Sequence, residues 1–422
     1  MIIGLSVNHK DGTSRIADAY VNAVVKAGGS PVLIPLTTNR SVLEENISHI
    51  DGLLLSGGGD ICTPLFNEEL HPTVTDYDLE RDHYEIEPVR MAAAYDKVKA
   101  LHKKIYTIDS HCDTPMFFSQ GIDIGKKNNK TKVDIPKMQE GMLDAVFMVA
   151  YLPQGARTAA ASQKAFDKAV SIINQIKQQV EKNKDLVAIA NSVEDLKKNK
   201  AESKKTIFIG IENGYAIGKD IRNVEYFARM GVKYITLSHN GDNDICDSNR
   251  GNKEHKGLSE FGREVVREMN RLGIMVDISH TSEKTSFDVL EISQYPVIAS
   301  HSSVKALCNH PRNISDKLMK AIAAKRGLIQ ICFYKGFLKK DGQAKLKDAI
   351  DHIDYVVKSV GVDYVGIGTD FDGDGGIPGI QNASEAPQIT LELLRRGYSD
   401  EDIAKIWGGN LIRVMEAVKK AK

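Results

Sequence analysis

Apolar runs of strand length, each closed by polar residues, recur along most of the chain: Ile105–Ile108, Ala145–Tyr151, Ile207–Ile211, Tyr234–Leu237, Met275–Ile278, Val297–Ala299, Leu328–Phe333 and Tyr364–Ile367. Between them apolar residues fall at helical spacing, as in Phe166, Val170, Ile173, Ile176 and Val180, with further helical patterns at Gly257–Leu272, Glu283–Ile292, Ser315–Ala324 and Leu346–Val360. A strand that is apolar on both faces is one covered on both faces, as in a parallel sheet flanked by helices. Eight such strands alternating with helices over about 300 residues predict an α/β fold of the (β/α)8 barrel type. In that architecture the polar residues just past each strand line one mouth.

Ahead of this series, Ile2–Val7, a helical pattern at Ala17–Ala27, Ser30–Pro35 and Gly52–Ser56 running into Gly57-Gly58-Gly59-Asp60 give a βαβ rhythm of their own. A helical stretch, Asp82–His102, then leads into the first run of the barrel series. The chain is therefore expected to divide near residue 100, into a small α/β segment over 1–100 and a barrel over 101–422.

The 422 residues are 42% hydrophobic and 27% charged, with Lys+Arg 56 balanced by Asp+Glu 56, so a sizeable core forms and no cationic field is left for nucleic acid or an anionic membrane. No apolar stretch of about 18 residues is long enough to cross a membrane, and the N-terminus lacks the basic region of a secretory leader. Cys62, Cys112, Cys246, Cys308 and Cys332 are odd in number and form no CxxC pair, which predicts reduced thiols and a cytoplasmic protein.

Chemistry concentrates where the barrel strands end. The first run is followed by Asp109-Ser110-His111-Cys112-Asp113, the third by Glu212-Asn213-Gly214, the fourth by Ser238-His239-Asn240, the fifth by Ser279-His280, the sixth by Ser300-His301-Ser302 and the eighth by Gly368-Thr369-Asp370-Phe371-Asp372. Four of the 12 histidines occupy this one kind of position. His111 and Asp113, two apart on an extended strand, point the same way and can grip one cation, while Cys112 faces the other side as a small packed thiol. Taken together, His, Asp and Glu from strands one, three, five and six supply ligands for two divalent ions about 3.5–4 Å apart if one carboxylate bridges them. Asp370, Asp372 and Asp374 look like a calcium loop at first sight, but the closing Glu of an EF-hand is missing.

The blocks IDSHCDTP, KVDIPKMQEGMLDAVFMVAY, FIGIENG, LSHNGDN, GLSEFGREVVREMNRLGIMVDISH, VIASHSS, HPRNISD and VGIGTDFDG occur in order and resemble the membrane (renal) dipeptidase family over residues 105–421. The resemblance implies a metal-dependent (β/α)8 barrel that hydrolyses dipeptides. It implies that His111 and Asp113 hold one zinc, that His280 and His301 hold the other, and that Glu212 bridges the two. His239 and Arg312 match substrate-binding residues, and Asp370 matches a carboxylate that handles protons. On this reading two Zn2+ acidify a bridging water, His239 stabilises the oxyanion, Asp370 passes a proton to the leaving amine, and Arg312 grips the terminal carboxylate.

A different binuclear amidohydrolase, acting on N-acyl amino acids or lactams, would keep the metal ligands and change what Arg312 and His239 hold. A non-catalytic metal-binding scaffold has no use for Asp370 and His239. The N-terminal stretches GLLLSGGGDICTPLFNEE and DLERDHYEIEPVRMA are similar to the front part of class I glutamine-amidotransferase-like γ-glutamyl hydrolases, but no cysteine lies on a G-x-C-x-G elbow. Residues 1–100 are thus expected to be a truncated, inactive segment. Its sheet edge and apolar face need cover, and a homodimer with the segment at the contact is the expected arrangement.

Overall fold

All eight apolar runs become strands of one parallel sheet, which the computed structural model places at Ile108–Cys112, Ala145–Tyr151, Lys205–Glu212, Val232–Thr236, Met275–Asp277, Ile298–Ala299, Leu328–Ile331 and Val365–Ile367. The structure describes residues 1–10, 13–35, 37, 39–57 and 79–418. Each strand pairs with the next in chain order. The ends of that path meet through a bridge between Cys112 and Phe371, reinforced by Asp113 N donating to Phe371 O at 2.8 Å and Asp370 N donating to His111 O at 3.2 Å. The sheet is in this way closed into the expected barrel, with a short additional strand, Val187–Ile189, paired alongside Lys205–Glu212.

Two sequence expectations shift. The first strand begins at Ile108, not Ile105, so His111 lies within it, and Asp113 sits just past its end with φ −100° and ψ 18°. The pleat therefore runs only to Cys112, and a tight turn aims Asp113. In the helix Ala159–Lys182 the buried stripe runs through Ala165, Ala169, Ile173, Ile176 and Val180, one position off Phe166 and Val170 at its start. Alanine lets the helix lie close against the barrel, and Phe166 turns sideways onto Tyr226 and Phe227, with ring centroids 5.1 and 5.3 Å away. Serine and threonine caps fix the helix starts: Thr158, Ser192, Ser259, Ser282 and Ser315 each accept a backbone N–H of the first turn. The barrel interior is filled by Phe147, Phe208 and Tyr234, with centroids 4.8 and 5.2 Å apart around Phe147.

The chain separates into compact units Met1–Leu101 and His102–Lys422. In the first, strands Ser30–Ile34, Ile2–Ser6 and Gly52–Leu54 form a parallel sheet in that order, and helix Asp18–Lys26 follows the first strand. The remainder of the Gly-rich turn, Gly58-Gly59-Asp60, and Cys62 lie outside the described residues.

Candidate active site

Backbone geometry at the strand ends departs from the ordinary where the side chains must turn inward. Asn213, His280, Asp370 and Asp372 have φ of 86°, 66°, 61° and 68°, a left-handed region that costs a non-glycine residue about 1–3 kcal/mol. Each is held there by bonds to its neighbours. Asn213 Oδ1 accepts Tyr215 N at 3.1 Å, which fixes the turn that leaves Glu212 pointing into the barrel. Asp372 accepts Thr114 Oγ1 at 2.6 Å and Lys132 N at 2.7 Å.

The sequence-predicted residues converge. Glu212 Oε1 lies 3.0 Å from His280 Nε2 and 3.3 Å from His301 Nε2, whereas its Oε2 lies 3.7 Å from His111 Nε2. The Oδ2 of Asp113 is 3.5 Å from His111 Nε2, and Asp370 Oδ1 is 4.0 Å from it. One carboxylate thus faces two different groups of ligand atoms with its two oxygens. Ligand atoms of His111, Asp113 and Glu212, and those of Glu212, His280 and His301, each fall within 4.8 Å of one another. His239 stands at the edge, with Nε2 3.9 Å from Glu212 and its ring against Tyr151 at 4.9 Å.

Outer partners decide which nitrogen of each imidazole carries the hydrogen. Tyr234 OH donates to Ser110 O at 3.0 Å, so at 2.8 Å from His111 it can only accept from Nδ1. Ser300 Oγ donates to Asp277 Oδ2 at 2.6 Å, so at 2.8 Å it accepts from His301 Nδ1. The amide oxygen of Asn240, 3.3 Å from His280 Nδ1, is an acceptor as well. All three Nε2 lone pairs consequently point into the same space, with His280 and His301 Nε2 only 3.0 Å apart. His111 Nε2 and Asp113 Oδ1 are buried without a hydrogen-bond partner. Facing lone pairs, orphaned acceptors and carboxylates are a donor set for divalent cations with a taste for N and O ligands, zinc among them.

The electrostatics agree. Burial pushes the imidazoles of His280 and His301 well below the usual range, which keeps them neutral. Burial would lower His111 too, but the Glu212 and Asp113 carboxylates overcome it and hold it well above, so the field at its Nε2 favours a positive charge. Against burial, His111 and His239 hold Glu212 well below the carboxylate range. Burial pushes the Asp370 carboxyl well above it, with the charges of Asp113 and Glu212 adding.

These groups line a cavity of about 410 Å3, the scale of a small-molecule site. Arg312 is buried in its wall. Its Nη2 donates to His301 O at 2.9 Å and its Nη1 to Ser302 Oγ at 3.3 Å, while Nε has no partner. Its guanidinium lies over the Phe337 ring at 5.2 Å. Gly373 makes room beside the carboxylates, since a Cβ there would stand 2.5 Å from Asp370 Oδ1 and 2.6 Å from Asp113 Oδ2. Sequence reasoning gives no role to Tyr234, Asn240 or Asp277, although the last two stand among the polar residues at the strand ends. In the sequence Asn240 is only the neighbour of His239, and Tyr234 reads as one more apolar strand residue. Asp277, which accepts Thr236 Oγ1 at 2.5 Å and Ser300 N at 2.9 Å, had a signal: a carboxylate inside an otherwise apolar strand.

Residues 95–422 match the family described as membrane dipeptidase (Peptidase family M19), and residues 2–97 match Peptidase C26. The chain is 34% identical to dipeptidase tcpJ of Claviceps purpurea, over 68% of this chain and 69% of that protein. It is 34% identical to dipeptidase verJ of Clonostachys rogersoniana, over 74% of this chain and 84% of that protein. Its fold superposes on the crystal structure of the probable dipeptidase PvdM from Pseudomonas aeruginosa with a TM-score of 0.73 at 28% identity, covering 78% of this chain and 99% of the other.

Proposed function

The chain belongs to the membrane dipeptidase family, and on that footing we propose that it hydrolyses the peptide bond of dipeptides at the cluster of His111, Asp113, Glu212, His280 and His301. In this reading His111 and Asp113 hold one divalent ion, His280 and His301 hold a second, and Glu212 serves both. Zinc suits the ligands. Two such ions, when bound, supply a Lewis acid and a water acidified toward neutrality. The side chains do the rest. Asp370 takes a proton from the attacking water and delivers it to the leaving amine, a task for which a carboxyl raised by burial is suited. His239, kept neutral chiefly by burial, donates to the oxygen on which charge develops. Arg312, which lines the cavity, offers its uncommitted guanidinium hydrogens to the terminal carboxylate of a short substrate.

The observation that carries this reading is the convergence of three Nε2 lone pairs whose Nδ1 hydrogens are already committed elsewhere. The test is a panel of L,L and L,D dipeptides, their C-terminal amides, N-acyl amino acids and γ-glutamyl amides, assayed with metal analysis in parallel. The expected result is two divalent ions per chain, turnover of dipeptides abolished by chelation and restored by zinc, and no turnover of the amides. Full activity with a single equivalent of metal, or equal rates on a dipeptide and its amide, refutes it. Turnover of N-acyl amino acids in place of dipeptides would select the amidohydrolase alternative.

We further infer that residues 1–100 are a non-catalytic appendage that pairs two copies of the chain. The edge strand Ser30–Ile34 supports this, with Val32 43% and Leu33 49% exposed. Light scattering should give twice the chain mass, and Leu33→Lys should halve it; an unchanged mass in the variant refutes the contact. The described cysteines, Cys112, Cys246, Cys308 and Cys332, are all free and buried, which supports a reducing, cytoplasmic setting. No described helix is long and apolar enough to cross a membrane.

A further inference from the structure

We propose that Arg250 is a specificity-determining residue that selects dipeptides whose C-terminal residue carries an acidic side chain. This rests on the dipeptidase reading above and deepens it. Two arginines line the cavity, and they are placed differently. Arg312 is buried in the wall, with one hydrogen of Nη2 on His301 O and one of Nη1 on Ser302 Oγ, so the donors left to it suffice for one anion. Arg250 is exposed at the mouth, and among the described residues no carboxylate pairs with it.

Although its head is free, its backbone is not. Arg250 N donates to Ser248 Oγ at 3.2 Å, and that hydroxyl is bonded to the carbonyls of His239 and His280. Asn249 N donates to His280 O at 2.9 Å, and Asn249 Nδ2 reaches Pro311 O at 3.4 Å, one residue from Arg312. Asp242 gathers the loop from within, accepting Ser248 N at 2.7 Å and Asn252 N at 2.6 Å. The loop is thus tied to the same strand ends that carry the site. Only the side chain remains to be ordered when a ligand arrives, which keeps the entropic cost of using it small.

Charge is distributed across the mouth. Arg250 and Arg312 line the same cavity, and the Asn249–Pro311 bond ties the residues next to them to each other. Asp374 is also exposed among the lining residues. With the α-carboxylate at Arg312, the side chain of the same residue starts one carbon away, within the cavity that Arg250 also lines. A planar fork with no carboxylate of its own is suited to a second carboxylate there, and a neutral side chain gives it nothing to pair with.

The experiment uses the metal-loaded full-length enzyme and measures kcat/KM on Ala-Asp and Ala-Glu against their near-isosteres Ala-Asn and Ala-Gln. The native chain should prefer the acid over the amide side chain by about tenfold, carried by KM, with the ratio shrinking as salt is raised. Arg250→Ala should collapse the ratio to near one, and Arg250→Glu should invert it. Cleavage of all four without an acid preference, or an equal loss on all four in Arg250→Ala, overturns the proposal alone. Failure to cleave any of them with metal bound overturns the dipeptidase reading, and this inference with it.

Discussion

Replacing Tyr234 with Phe removes a single oxygen and tests the idea that the outer partners of the histidines, as much as the ligands, set the site. That oxygen sits between His111 Nδ1 at 2.8 Å and Ser110 O at 3.0 Å, in a fully buried position. The ring itself would stay, packed against Phe147 at 5.2 Å, so the barrel interior keeps its volume. Two hydrogen bonds of about 0.5–1.5 kcal/mol each are lost, and both stranded groups are buried, so the total is about 1–3 kcal/mol. Part of this falls on the fold and part on the ligand, because an imidazole without its Nδ1 acceptor is free to rotate or to place its hydrogen on Nε2, where a metal would be blocked. At about 1.4 kcal/mol per tenfold, metal affinity should fall about 10- to 100-fold, the range typical for loss of such a partner. Competition with a chelator of known affinity gives the metal Kd of both proteins, and chemical denaturation of the metal-free forms gives the share borne by the fold. An unchanged metal Kd beside a lowered stability would refute the reasoning, since Tyr234 would then serve packing alone.

Other expectations can be checked in the same way. Glu212→Gln removes the one charge that faces both groups of ligand atoms, so it should lower metal content and turnover more than His280→Ala or His111→Ala; a milder effect than either would contradict the shared role. Gly373→Ala should abolish most turnover, with denaturation shifted by no more than about 1–2 kcal/mol, because the atoms its Cβ would meet first are the carboxylate oxygens of Asp370 and Asp113; normal kcat would refute this. Burial lowers His102 from 6.5 to about 4, and its neutral ring meets Thr390 Oγ1 at 2.7 Å. The unfolded chain then binds the extra proton between pH 6.5 and 4, so stability is full above pH 6.5 and declines as pH falls through that window, by on the order of 3 kcal/mol. His102→Gln should flatten the dependence of the urea midpoint across this range, and an identical slope in the variant would exclude His102 as its source.

The barrel was legible because its strands are buried on both faces, so each announces itself as an unbroken apolar run, and because the chemistry sits at a repeated position after those runs. Edges were less so. The run at Ile105 looked like the start of a strand, yet pairing begins at Ile108; hydrophobicity does not distinguish a residue that pairs from one that only packs. The rotation of the Ala159–Lys182 helix was hidden because alanines, weakly apolar, mark the closest approach better than the large residues beside them. In the site, the ligating residue types could be picked out by kind and spacing. Their supports could not: Tyr234, Asn240 and the Asp277–Ser300 pair act through contacts between strands far apart in sequence, and no local pattern reports which hydroxyl will meet which imidazole.

The seam that closes the barrel has a consequence for biosynthesis. Thr369 bonds Asp109 through its N–H at 2.9 Å and its hydroxyl at 2.5 Å, across 260 residues of chain, and the same join brings Asp370 beside His111. During translation His111 and Asp113 emerge early and wait for a partner strand that the ribosome has yet to make. A nascent chain that has reached His301 already carries all five candidate ligands, yet it still lacks Asp370 and the join that closes the barrel. On the proposed reading, chains that terminate before the last strand lack the seam and Asp370 together and should be inert.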